Sequence, residues 1–241
     1  MSKTKHRIKI YHSRLHLVFT IFFVVAPFIF LLTFAQLTSV ATGVLFGDLF
    51  VSFLRLLVAY FIAVVIAWVL AISFFGGKRA LIALPLFDVL QSFPTFATLP
   101  LAVYFWGASN FTVVFFLILT VIWPMLFSII GSLRLIKHDW QEAVDMSGIS
   151  GMTYLKKFIF PISIPGLITG SLIGLGEGWE ALIATEIVVR EKLGLGNFFL
   201  TYSSNPKITF LGILGFLILI FSINKLIWTP LLDWSHGKME D

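Results

Sequence analysis

The stretch at residues 111–135, FTVVFFLILTVIWPMLFSIIGSLRL, carries no charged side chain until Arg134, its penultimate residue. A bilayer core of about 30 Å is crossed by about 20 predominantly apolar residues in an α-helix. The stretch is therefore predicted to span a membrane. Its basic end is typical of a span that leaves the bilayer on the cytoplasmic side.

The rest of the chain has the same character on both sides of this stretch. Of its 241 residues, 59% are hydrophobic and only 12% are charged. Soluble domains average about 25% charged residues, so lipid is the expected surrounding for most of this chain, as a single domain. The net charge of +5 does not indicate nucleic acid, because the basic residues lie between apolar segments and not on one amphipathic face. The absence of cysteine excludes disulfides, thiolate metal sites and a cysteine nucleophile.

Six apolar segments are long enough to cross a bilayer. They lie at residues 15–37, 49–75, 80–106, 111–135, 162–189 and 208–232. The predicted fold is an all-α polytopic membrane protein. Its organisation is a basic N-terminus at 1–14, one transmembrane domain at 15–235 and a short tail at 236–241. The first segment has the basic flank of a signal peptide, but its apolar run exceeds the usual length of about 7–15 residues, so we expect a retained span.

The distribution of basic residues predicts the orientation of these spans. With the N-terminus in the cytoplasm, twelve Lys and Arg residues in the loops, in the termini or at a span end lie on the inner side, and three lie on the outer side: Arg190, Lys192 and Lys207. Positive charge is concentrated in cytoplasmic loops of membrane proteins. Both termini are therefore predicted to be cytoplasmic, in the cell membrane, which agrees with an even number of spans.

The fifth segment is the most polar, since it contains Glu177, Glu180 and Glu186. A carboxylate at the centre of a span costs about 2.5–3.5 kcal/mol on insertion scales, so this helix is not expected to face lipid. Gly170 and Gly174 form a G-x-x-x-G pair, which lets two helices approach closely. The three glutamates are predicted to line the translocation path or a gate. The alternative is a buried ion pair or a hydrogen bond to a neighbouring helix.

Other polar positions within or beside the spans also have two interpretations. Asp88 and Gln91 lie between two prolines of the third segment and either face a polar cavity on the path or cap a kinked helix. Arg55 either attracts an entering anion or, as we expect, extends its side chain to the membrane interface. The Gly194-Leu195-Gly196 turn either docks an external protein or only connects two helices.

The loop at 136–161 carries the most specific pattern in the chain. Asp139 and Glu142 predict a capping-box start for a short helix at 140–147. Gly148 is expected to end it in the left-handed conformation.

A second short helix is expected to follow in the same loop. Ser150 is a candidate N-cap for a helix that runs through Tyr154 to Phe158, and Pro161 should break that helix before the fifth span. The loop is thus predicted to be an ordered pair of helices on the inner face.

This loop resembles the cytoplasmic motif of importer permeases of the ATP-binding-cassette class. That motif has the form E-A-A, three residues, G, nine residues, I, one residue, L-P. Its positions are filled by Glu142, Ala143, Val144, Gly148, Phe158, Phe160 and Pro161. The resemblance implies a coupling helix pair between the fourth and fifth spans, which passes conformational changes from a separate ATPase that binds ATP and Mg²⁺.

Residues 50–232 are also similar to nitrate, taurine and alkanesulfonate permeases. The similar stretches are Leu84-Pro85-Leu86, Gln91-Ser92-Phe93-Pro94 and Gly178-Trp179-Glu180-Ala181. The resemblance implies a path for a small solute, an anion such as nitrate, a sulfonate or taurine, that works by alternating access. The implied partners are an ATPase dimer, an extracytoplasmic solute-binding protein and a second permease copy, identical or paralogous.

No motif for chemistry is present in the sequence. It contains no G-x-x-x-x-G-K-[ST] phosphate loop, no nucleophile elbow and no H-E-x-x-H. We therefore predict a transport subunit and no catalytic, cofactor or metal site. The main alternative is an ion- or proton-coupled secondary transporter that uses the glutamates of the fifth segment as a relay.

Overall fold

The computed structural model describes the backbone of residues 2–240 and the side chains of residues 19–235. Within the described backbone the chain is helical and contains no strand, which confirms the predicted all-α fold. The side chains of the predicted basic N-terminus, 1–14, and of the tail, 236–241, lie outside the described residues.

The described backbone forms a succession of α-helices joined by short loops. They are α1 (Ser2–Thr38), α2 (Thr42–Phe74), α3 (Gly77–Gln91), α4 (Thr95–Trp106), α5 (Asn110–Arg134), α6 (His138–Met146), α7 (Gly151–Tyr154), α8 (Phe160–Val189), α9 (Leu195–Thr201), α10 (Pro206–Ile223) and α11 (Thr229–Glu240). A π turn at Leu155–Ile159 joins α7 to α8, and another at Asn224–Trp228 joins α10 to α11.

Five helical stretches of the described chain are long and apolar enough to cross a membrane. They are Phe19–Thr38, Thr42–Phe74, Asn110–Arg134, Gly151–Val189 and Pro206–Ser235. The third predicted span is a bent pair of helices, α3 and α4, which meet at 76° and make a sixth span if they are counted together. Pro94 cannot donate a backbone hydrogen bond and disfavours helical geometry at Phe93, so the bend falls there.

The larger of two compact units contains residues 47–200 and 232–241. Its centre is α5 packed along α8, and α4 contacts both. Gly166, Gly170 and Gly174 lie against α5, where a Cβ added at Gly170 would be 2.6 Å from the Cα of Met125. The close helix approach predicted from the G-x-x-x-G pair is therefore confirmed.

The second unit contains residues 1–46 and 201–231, and its main contact joins α1 to α10. A Cβ at Gly215 would be 2.5 Å from the ring of Phe30, so α10 also uses a glycine to approach its neighbour. Phe23 and Phe221 meet edge to face with ring centroids 5.0 Å apart. Apolar and aromatic packing thus holds this pair of helices.

The prediction that Pro161 ends a helix is wrong. The chain remains helical from α7 through the π turn into α8, and Pro161 lies in the first turn of α8. The π turn bonds the N–H of Phe160 to the carbonyl of Leu155, five residues back. The ring of Pro161 therefore follows a point where the hydrogen-bond register already changes, and the helix continues past it.

Candidate functional site

A cavity of about 740 Å³ lies between the end of α3, the start of α4 and the facing turns of α5 and α8. Asp88 and Gln91 line it from the last turns of α3, and Glu177 lines it from α8. Three of the five residues predicted for the translocation path are thus brought together in one cavity.

The bend between α3 and α4 shapes this cavity. Because the chain turns at residues 92–94, Thr95 and Phe96 line the cavity together with Asp88 on the other side of the break. Trp123 and Ser128 of α5 form the facing wall. If the third span were straight, its two halves would not line the same cavity.

The charge of the cavity wall is entirely negative. Asp88 and Glu177 are its charged side chains, and no Lys, Arg or His lines it among the described residues. Within residues 19–235, the side chains of Asp88, Gln91 and Glu177 form no hydrogen bond or ion pair, and all three are exposed. Their polar groups are therefore available to water or a solute.

The other two predicted path residues lie elsewhere. Glu180 is exposed on α8 and does not line the cavity. Glu186 is completely buried and forms an ion pair with Arg55 of α2, with the Nη1–Oε1 distance 2.5 Å. The Ser52 hydroxyl also donates to both carboxylate oxygens, at 2.8 and 2.9 Å. For Glu186 the structure agrees with the interpretation as a buried ion pair.

The expectation that Arg55 reaches the membrane interface is wrong. Arg55 is only 6% exposed, and hydrogen-bond acceptors surround its guanidinium. It donates from Nε to Asn110 at 2.7 Å, from Nη1 to the Leu193 carbonyl at 2.8 Å and from Nη2 to Glu191 at 3.1 Å. A carboxylate at the same depth satisfies the guanidinium inside the protein, so the side chain has no need to reach water.

The turn at residues 194–196 is built onto this ion pair. Its backbone N–H groups donate to Asp48, Ser52 and Glu186, each at 2.8 Å. Gly194 has φ +133°, and a Cβ there or at Gly196 would lie 2.5 Å from an atom of Glu186. Of the two sequence interpretations, the structure favours an internal connection over a free docking turn.

Sequence reasoning missed this polar cluster, although α2 carried a signal for it. Asp48, Ser52 and Arg55 are spaced four and three residues apart, which places them on one face of an otherwise apolar helix. All three are buried. A polar stripe on an apolar span predicts a polar partner on another helix.

The inner-face loop contains the predicted coupling residues on a short exposed helix. α6 carries Glu142, Ala143 and Val144, and none of its residues is buried. Gly148 follows the helix with φ +69°, which confirms the predicted left-handed residue. Large apolar side chains such as Met146, 84% exposed, remain uncovered. Such exposure on an ordered helix is typical of a docking surface.

The predicted capping interactions of this loop are wrong. Lys137 is the N-cap of α6, and no side chain caps that helix. Glu142 pairs with His138 at 3.2 Å, one turn back, in place of a capping box. Ser150 precedes α7, but its side chain makes no capping hydrogen bond. An exposed helix end can bond to water, so a side-chain cap is not required.

The described residues contain no group of three or more His, Asp or Glu side chains that could hold a metal ion.

Residues 63–228 match the family described as the binding-protein-dependent transport system inner membrane component. The chain belongs to this family. It is a transport component and not an enzyme, located in the inner membrane. The matched residues include α6, the whole cavity wall and Glu186, whereas Asp48, Ser52 and Arg55 precede them.

Several curated members of this transport family are similar to the chain. The nitrate import permease protein NrtB of Synechocystis is 27% identical over 71% of this chain and 65% of its own length. The bicarbonate transport system permease protein CmpB of Synechococcus elongatus is 31% identical over 51% and 45%. The taurine transport system permease protein TauC of Escherichia coli is 28% identical over 69% and 60%. The chain thus spans less than two thirds of the curated relatives that it matches.

Proposed function

We propose that the chain is the membrane-spanning permease subunit of an ATP-driven importer. In this proposal it forms the path for a small solute by alternating access, and a separate ATPase supplies the energy. The proposed partners are an ATPase dimer, which holds ATP and Mg²⁺, an extracytoplasmic solute-binding protein and a second permease copy. The cargoes named for the relatives, nitrate, bicarbonate and taurine, support a small polar solute.

The single observation that carries this proposal is the exposed helix α6. It presents Glu142 and Ala143 at the surface, has no buried residue and is ended by Gly148 in the left-handed conformation. Because none of its residues is buried, α6 adds little to the packing of its own chain, and a partner protein is the expected binding site for it. A groove on a partner ATPase supplies one, since short helices commonly dock into grooves of partner proteins.

The cavity supports the proposed path. Asp88, Gln91 and Glu177 are polar groups within spans, and such groups are tolerated where they face water or a solute. In this proposal the ATP-bound state of the ATPases favours one orientation of the cavity, and hydrolysis releases it. The ATPase biases the equilibrium because it binds the two states with different affinity.

The orientation completes the proposal. The termini, α6 and Lys156 lie in the cytoplasm, whereas Arg190 and Lys192 lie on the outer side. Glu180 is exposed on α8 outside the cavity, and a carboxylate left against lipid is costly. A second copy that covers this helix, on the two-fold axis of a dimer, would remove that cost.

The buried ion pair favours the importer over a proton-coupled transporter. A relay along the fifth span would need Glu177, Glu180 and Glu186 to exchange protons along one path. Glu186 is instead held by Arg55, Ser52 and Gly196, away from the cavity that Glu177 lines. Glu186 is therefore separate from Glu177 and Glu180, which lie one turn apart on α8.

The test is co-purification of the tagged chain from its native membranes in mild detergent. We expect an ATPase with the wild type and its loss from Glu142→Lys, because a lysine in the docking helix should not be accommodated in the groove that receives a glutamate. Gln141→Lys is the matched control, since it places the same side chain at an exposed neighbouring position outside the motif. Retention of the ATPase by Glu142→Lys would contradict the docking role of α6.

A further inference from the structure

The cavity between α3, α4, α5 and α8 has a charge that does not suit a simple anion. Asp88 and Glu177 are its charged lining groups among the described residues. A nitrate or bicarbonate ion in this space would meet two carboxylates and no positive side chain. Coulomb repulsion inside a partly enclosed site is stronger than in bulk water, so a bare anion is disfavoured there.

Among the described residues of the larger unit, no unpaired basic side chain is buried within a span to reverse this charge. Arg55 is buried in α2, but its donors are occupied by Glu186, Glu191, Asn110 and the Leu193 carbonyl. The other Lys and Arg residues of this unit with described side chains lie near helix ends, in loops or in the π turn before α8, and none of them lines the cavity: Lys78, Arg79, Arg134, Lys137, Lys156, Lys157, Arg190 and Lys192. The larger unit therefore places no unpaired positive side chain among the described residues that line the cavity.

The two carboxylates also lack a structural partner within the described residues. Neither Asp88 nor Glu177 forms an ion pair or a side-chain hydrogen bond, in contrast to Glu186. Holding two unpaired carboxylates within membrane-spanning helices is costly. A positive group on the cargo would offset that cost each time the cavity is occupied.

The remaining walls suit an organic solute. Phe93, Phe96, Trp123 and Phe127 line the same cavity, and aromatic faces attract ammonium groups. Gln91 and Ser128 add an amide and a hydroxyl that can donate hydrogen bonds to an acid group without carrying charge. The cavity thus offers positions for both ends of a small zwitterion.

We propose that the cargo of this permease carries an ammonium group, which binds between Asp88 and Glu177. Amino-sulfonates such as taurine and other small organic amines belong to this class, whereas nitrate and bicarbonate do not. This inference rests on the proposed function, because it assigns a cargo to the same path. Of the cargoes named for the relatives, the proposal retains taurine, whose ammonium group can pair with the carboxylates of the cavity wall.

The test measures binding to the purified full chain in lipid nanodiscs, with two matched pairs of probes. Taurine and isethionate differ only in an ammonium against a hydroxyl group, and so do benzylamine and benzyl alcohol. Nitrate is the fifth probe. We expect the ammonium member of at least one pair to bind about tenfold more tightly than its hydroxyl partner, and nitrate to bind no better than isethionate.

Substitutions of residues that line the cavity test whether the ammonium group binds there. Asp88→Asn and Glu177→Gln should each weaken binding of the ammonium probe by about fivefold, as expected for loss of one partly exposed charge partner. Glu180→Gln removes an exposed carboxylate one turn from Glu177 but outside the cavity, and it should weaken binding less than Glu177→Gln does. Gln91→Arg adds a guanidinium to the wall and should shift the preference towards isethionate.

The outcomes are distinct. Equal binding within both pairs, absence of binding by every probe, or tighter binding of nitrate would overturn the ammonium proposal. So would equal effects of Glu177→Gln and Glu180→Gln. Co-purification of the ATPase, measured on the same membranes, reports separately on the importer proposal. If the ATPase is present and the ammonium preference is absent, only the cargo class is wrong.

Discussion

Arg55 and Glu186 form an ion pair buried inside the larger unit, with the Nη1–Oε1 distance 2.5 Å. Ser52 and the N–H of Gly196 also donate to the Glu186 carboxylate, so both charges of the pair are surrounded by hydrogen-bond partners. Burying such a pair adds little net stability, but removal of one member leaves an uncompensated charge. The pair therefore tolerates joint replacement better than single replacement.

Glu186→Ala should lower the free energy of unfolding of the permease by about 3 kcal/mol, because it leaves the buried Arg55 guanidinium with only the weaker contact to Glu191, at 3.1 Å, as a carboxylate partner among the described residues. Thermal unfolding followed by size-exclusion chromatography in detergent should show this loss as a lower apparent melting temperature. The double variant Arg55→Leu, Glu186→Leu should be less destabilised than Glu186→Ala, since neither charge remains. Glu180→Ala, at an exposed position of the same helix, serves as the control. A double variant as unstable as the single one would show that the pair stabilises more than it costs to bury.

At the scale of helices, the contact between α5 and α8 organises the larger unit. Small residues on α8 allow the two backbones to approach. Some glycines of α8 lie directly against α5, whereas others have room for a side chain. Gly170 would place a Cβ against the backbone of Met125, whereas Gly176 has open space around it.

Gly170→Ala should destabilise the helix pair by about 1–3 kcal/mol, because the added methyl group meets backbone that cannot move aside. Gly176→Ala should be neutral or slightly stabilising, since alanine is the better helix former and nothing lies nearby. The midpoints of thermal unfolding of the two variants, measured side by side, check this difference. Equal midpoints would mean that α5 and α8 separate easily enough to admit a methyl group.

The positions of the helices were predicted more accurately from the sequence than the points where they bend or join. Apolar length and the G-x-x-x-G pair correctly predicted the spans and the close approach of α8, because both depend on local residue types. A kink in the third span was one of two interpretations of the sequence, but its continuous apolar run does not indicate that the span divides into two helices at 76°. The continuation of α8 past Pro161 depends on a π turn, which no residue pattern specifies.

The candidate site was predicted only in part, for a similar reason. Polarity within a span indicated that Asp88, Gln91 and Glu177 need a special environment, and the structure gives them a shared cavity. The polarity of Glu186 also indicated that this side chain needs a polar partner, but it did not indicate that α2 supplies that partner. Periodicity shows which face of a helix is polar, whereas the identity of the facing helix depends on tertiary packing.

At the scale of the whole molecule, the proposed orientation can be tested directly, because the chain contains no cysteine. Single cysteines can therefore be added without removing native ones. Asp145 on α6 and Lys192 after α8 are both exposed, and the proposal places them on opposite sides of the membrane.

In intact cells, Lys192→Cys should react with a membrane-impermeant maleimide, whereas Asp145→Cys should react only after the membrane is opened. The reason is the concentration of basic residues around α6, which favours the cytoplasmic side. A permeant maleimide provides the control, since it should label both variants equally if both are folded and inserted. The reverse pattern would place α6 outside, where no ATPase could reach it, and would remove the importer proposal together with the orientation. Labelling of both positions in intact cells would instead mean that the chain does not insert in one orientation.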